Sequence, residues 1–122
     1  MMLQRAGPGG PMTRVGILAV MLVGLVGASA TAKAQDAAAG EKVYVEQKCS
    51  LCHSVAGKGN VKGVLDGVGS KLSADDIRAW IVDAKAMTAK TGATRKPEMK
   101  AYVLSQGDVD ALVAHLSTLK KK

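Results

Sequence analysis

The chain contains no phenylalanine, and its large rings are limited to Tyr44, Trp80 and Tyr102 among 122 residues. Aromatic side chains supply much of the buried area of a small core, so the interior of this protein has to be filled by something else. Cysteine is nearly absent: Cys49 and Cys52 are the only two, which excludes a multi-disulfide scaffold. Histidine is equally scarce, and His115 stands far from His53 with no cysteine beside it. The paired spacings of a four-ligand zinc site are therefore missing. Acidic residues are outnumbered, 10 Asp and Glu against 17 Lys and Arg. The basic residues are scattered and not interleaved with rings, which argues against a nucleic-acid module. There is no internal repeat and no strand pattern.

The one long apolar run sits near the N-terminus. Residues 1–34 have the three parts of a secretory signal: Arg5 and Arg14 as a positive start, an unbroken stretch of apolar and glycine residues over 15–26, and Ala32-Lys33-Ala34 as a cleavage site. Ala28-Ser29-Ala30 offers a second cut. As a helix even the run extended over 15–30 would span about 24 Å, short of the roughly 30 Å hydrocarbon core, so a cleaved leader is expected and a stable membrane anchor is not. Residues 35–122 then form one small domain. Arg5, Arg14 and Lys33 leave with the leader and no acidic residue precedes Asp36, so the working chain carries +4, three fewer than the precursor's +7.

Cys49-Ser50-Leu51-Cys52-His53 carries the chemistry. Two thiols one helical turn apart, followed at once by an imidazole, match the attachment pattern of a c-type haem. Two thioether bonds to the vinyl groups fix the porphyrin edge, and the adjacent histidine is held beneath the iron as an axial ligand. With no further cysteine available, both are consumed by one haem c. A thioredoxin-like redox pair would need a βαβ context, whereas the flanks read as helix and glycine-rich loop. A buried haem also supplies the apolar area that the missing rings do not, at roughly 25 cal/mol per Å².

Around this motif the spacing predicts helix, loop, helix, loop, helix. The first helix covers residues 36–48, with Gly40, Val43, Tyr44 and Gln47 on one face suited to a close helix crossing. Residues 54–72 lose periodicity and are punctuated by glycines that do not fit GxGxxG, so they read as a loop wrapping the haem edge. Ser73-Ala74-Asp75-Asp76 opens the second helix with a cap, and Ile77, Trp80, Ile81 and Ala84 form its apolar stripe. Residues 87–103 read as a second loop. Ser105 caps the last helix, whose stripe is Val109, Leu112, Val113, Leu116 and Leu119. Outside the leader, methionine occurs only at Met87 and Met99. Met99 lies in a proline-bearing extended segment able to lay one side chain across the far haem face, so it is the favoured sixth ligand. Met87, at a helix end, reads as packing. His115, beside the Leu112 and Leu116 stripe, reads as an interfacial histidine.

Together these residues resemble the small single-haem class I cytochromes c over 36–122. Gly40 and Tyr44 look like that family's N-terminal-helix contact positions, Cys49, Cys52 and His53 its attachment motif, Met99 before Tyr102 its distal ligand segment, and 112–116 its closing helix. The resemblance implies an all-α cytochrome c fold, with three main helices and two long loops wrapped around one covalently attached haem. It implies His53 and Met99 as iron ligands, outer-sphere transfer of single electrons, and addition of the haem outside the cytoplasm. A bacterial periplasm is the expected setting. The expected partners are a redox protein donor and acceptor with acidic docking surfaces, which Lys48, Lys58, Lys62, Lys96 and Lys100 would face. The chain is expected to act as a monomer or as a subunit of a redox complex. Two departures stand out. His115 occupies the slot where the family commonly has an aromatic residue, and Gly63-Val64-Leu65 stands where a proline carbonyl commonly accepts the proton of the proximal histidine.

Two other functional classes remain open at this point: a haem subunit of a larger oxidoreductase, and a gas-binding or peroxide-reducing protein whose sixth ligand leaves easily. In every case the haem replaces part of the core. A haem-free Cys49→Ala/Cys52→Ala variant is expected to be largely disordered, and native-like helical circular dichroism from it would contradict this.

Overall fold

Alanine-rich sequence carries the first helix, α1, over Ala28–Glu46. The computed structural model describes residues 28–122, and side chains from Asp36 onward. The expected leader's apolar run at 15–26, together with Arg5 and Arg14, lies outside the described residues. Helix α1 begins earlier than the predicted 36 because Ala28, Ala30, Ala32 and Ala34 are strong helix formers. It stops two residues before the predicted 48, and Lys48 turns left-handed with φ 55°.

After α1 the chain forms a single 3₁₀ turn over Cys49–Leu51 and a two-stranded antiparallel hairpin, β1 (Ser54–Val55) and β2 (Lys58–Gly59). Ala56 and Gly57, both at positive φ, form the tight turn whose twist matches such strands. No sequence periodicity announced a hairpin, since two-residue strands are too short to show one. A 3₁₀ turn over Val61–Gly63 and the one-turn helix α2 (Val68–Lys71) complete the predicted first loop.

Helix α3 (Ala74–Val82) starts as the sequence predicts, with Ser73 Oγ accepting from the Asp76 amide at 3.1 Å. The predicted second loop over 87–103 is shorter than expected, because α4 occupies Ala84–Thr91. Asp83 breaks the path of α3 and recaps it, its carboxylate accepting from the Ala86 amide at 3.3 Å. Ala84, Lys85, Ala86 and Ala89 then favour helix, and Ala84 and Met87 are buried. Helix α5 (Gln106–Ser117) is capped by Ser105, which accepts from the Asp108 amide at 3.1 Å.

The core joins Val43 and Tyr44 of α1, Ile77 and Ile81 of α3, and Val109, Leu112, Val113 and Leu116 of α5. Its most extensive pairing is α1 against α5. Gly40 is buried at their crossing, where a Cβ would collide with the Ala111 carbonyl and come within 2.6 Å of His115 Cβ. Only glycine permits that approach, since closing it with a side chain would drive the helices apart. His115 fills the adjoining space as an interfacial residue, its ring centroid 5.9 Å from that of Tyr44 at 60°. Burial pushes the His115 pKa down, with Glu41 opposing. Replacing Gly40 by Val is expected to cost on the order of 3 kcal/mol in urea unfolding. The contrasting Gly107→Ala, where only Ser105 Oγ lies as near as 4.0 Å, should gain up to about 1 kcal/mol. Equal midpoints for the two variants would contradict the crossing argument.

Candidate haem site

The attachment motif is held by backbone hydrogen bonds. Within it, the Cys52 and His53 amides both donate to the Cys49 carbonyl, at 3.1 and 2.9 Å. The Asn60 amide donates to the carbonyls of Ser50 and His53, while Asn60 Nδ2 donates to Leu51 at 3.2 Å. Leu65 donates to Ser54, which is buried. The turn bearing both cysteines is thus clamped onto the segment that follows.

That clamp orients His53. Its Nδ1 donates to the Gly63 carbonyl at 3.0 Å, which leaves Nε2 with a free lone pair, the form a metal requires. Burial pushes the His53 pKa below the usual imidazole range; the Gly63 bond opposes this and the Arg95 cation adds to it. The balance favours the neutral ring. Burial also raises the Cys49 thiol.

Cys49, Cys52, His53 and Met99 line one cavity of about 530 Å³. Met99 reaches it from the segment between α4 and α5, whose far end is pinned by the Tyr102 amide donating to Ile81 at 2.8 Å. Leu65, Val68, Leu72, Ile77, Ile81, Leu112 and Leu116 make most of the wall apolar, and Trp80 joins them. Met87 and His115 do not line it. Met87 is buried elsewhere, as a packing residue.

Arg95 was not singled out by sequence reasoning, yet it also lines the cavity. Its Nη2 donates to the Cys52 carbonyl at 2.6 Å, bridging the two segments that carry His53 and Met99. A lone arginine in a polar loop carries no spacing signal, so nothing in the sequence marks it.

A large apolar cavity bounded on one side by two cysteines and a histidine fits a flat apolar pigment. Tyr44 lines it as well, and its buried Oη has no hydrogen-bond partner, a donor that a pigment with a polar edge can satisfy. Among the described residues, no group of three or more His, Cys, Asp and Glu gathers to hold a bare metal ion. No helix of the described residues is long and apolar enough to cross a membrane.

The family model described as Cytochrome c matches residues 37–120, well over half of the chain. The chain belongs to the cytochrome c family. No curated protein and no solved structure matches it. Membership agrees with the mostly helical fold and identifies a small class I cytochrome c. The cofactor of this cytochrome c is haem c with its iron, covalently attached. Its activity is haem-based electron transfer and its partners are redox proteins. Members are typically electron carriers.

Proposed function

We propose that this cytochrome c is an exported single-electron carrier of a bacterial periplasmic redox chain. In this reading Cys49 and Cys52 would attach the haem, and His53 and Met99 would hold its iron. One observation carries it: His53 and Met99 come from separate segments to line the same cavity as both cysteines, with His53 Nδ1 already engaged by Gly63. When bound, haem c supplies a one-electron change of charge at iron.

The chain's own residues do the rest. The Gly63 carbonyl fixes the His53 tautomer and ring orientation. The Met99 thioether is a soft donor that favours the reduced state and raises the potential. Held by both His53 and Met99, the iron would have no position left for a substrate, and the chemistry it would supply is outer-sphere transfer of one electron. Leu65, Val68, Leu72 and Ile77 give the cavity an apolar wall, and a low-dielectric wall of this kind penalises additional positive charge within it.

Export follows from residues 1–34, read as a leader cut near Ala34 that leaves 35–122 as the working domain. Lys48, Lys58, Lys62, Lys96 and Lys100 are all exposed on the segments around the cavity. They supply a positive rim for an acidic docking surface on donor and acceptor, and they steer encounter.

The oxidised protein is expected to show a weak far-red sulfur-to-iron band that Met99→Ala abolishes and Met87→Ala retains. A band surviving in Met99→Ala would overturn the ligation, and rapid, complete carbon monoxide binding to the reduced wild type would point to ligand chemistry instead. For the docking surface, the rate of electron transfer to an acidic redox protein should fall roughly tenfold as salt rises from low to above physiological concentration. A flat salt response would remove the steering.

A further inference from the structure

Arg95 lies three residues beyond Gly92, which ends α4, and four before Met99. From there its side chain crosses to the attachment segment. Nη2 donates to the Cys52 carbonyl at 2.6 Å, a bond between residues 43 apart in sequence. The guanidinium also lies directly against Gly63. A Cβ built at Gly63 would collide with Arg95 Nη1 and the Cys52 carbonyl, and would sit 2.9 Å from the guanidinium carbon. Gly63 shows no positive φ. Its lack of a side chain therefore serves the close approach of both the Cys52 carbonyl and Arg95, and not an unusual backbone conformation.

Gly63 is the residue whose carbonyl accepts from His53 Nδ1. We propose that Arg95 is a positioning residue for the proximal histidine: packed on Gly63 and bonded to Cys52, it locks the carbonyl that orients His53 and ties the Met99 segment to the same point. The bare face of Gly63 admits both the Cys52 carbonyl and the guanidinium that bonds it. This rests on the reading of His53 as an iron ligand.

The chemistry separates two contributions. The planar guanidinium makes the geometric lock, because it can bond the Cys52 carbonyl while lying flat on a residue without a Cβ. Its positive charge acts independently at the cavity wall, where a fixed cation opposes gain of positive charge by the haem and so raises the potential. Lysine keeps the charge but loses the planar fork.

The test uses reduced, haem-bearing full-length protein and follows solvent exchange of the His53 ring N–H by NMR, together with the reduction potential. Arg95→Gln should speed exchange by about tenfold or more and lower the potential. Arg95→Lys should speed exchange similarly while keeping most of the wild-type potential. Arg95→Ala, which removes the guanidinium altogether, should match Arg95→Gln in both exchange and potential. Wild-type exchange in Arg95→Gln and Arg95→Lys would overturn the proposal while leaving His53 ligation intact. A wild-type ring proton lacking the large haem-induced shift of an axial ligand would instead bring down the ligation reading, and this one with it.

Discussion

Two helix backbones in near contact are the constraint on which the rest of this protein depends. At Gly40 the first helix meets the carbonyl of Ala111 in the last with no side chain between them, and Val43, Tyr44, Leu112 and Leu116 close the sides of the crossing. The consequence reaches the site directly. Two residues after α1 ends, the chain enters the turn that bears Cys49 and Cys52, while α5 sends Leu112 and Leu116 into the cavity wall. Contact between the two ends of the domain therefore places the attachment motif against its own hydrophobic backing.

The remainder of the cavity is built from short, irregular pieces, and their rigidity comes from specific bonds. Asn60 holds three carbonyls of the attachment turn, Ser54 and Val64 form a single bridge, and Tyr102 is tied to Ile81. Such segments have few apolar contacts of their own, so each lost hydrogen bond weighs heavily on their order. At the C-terminus, Lys120 Nζ donates to the Gly69 carbonyl at 2.6 Å and the Lys121 amide to Ser70 Oγ at 2.8 Å, which fastens α2 to the end of α5. The cavity residues Cys49, Cys52, His53 and Met99 all lie outside the α-helices, so their placement rests on these bonds.

Much of this was legible from residue types at fixed spacing. The faces of α1, α3 and α5 were readable because helical periodicity reports burial, and Ser73 and Ser105 marked their helix starts because a hydroxyl before an acidic first turn has a local capping role. The attachment motif was readable because its chemistry demands contiguous residues. Met99 differed from Met87 in local context, an extended proline-bearing segment against a helix end, and of the two only Met99 lines the cavity. What stayed hidden depended on partners distant in sequence or on elements too short for periodicity. Asp83 looked like an interior residue of one helix until its carboxylate was seen recapping the chain into α4. The hairpin of β1 and β2 has no pattern at two residues per strand.

The sequence by itself determined the family chemistry, a haem-bearing cytochrome c fold, together with the apolar faces of α1, α3 and α5. These follow from local order, composition and periodicity. The tertiary structure decided which carbonyl orients His53, which methionine shares its cavity, and that Arg95 bridges the two sides. Each of those depends on segments brought together across tens of residues by the crossing of α1 and α5, and no local pattern encodes a distance of that kind.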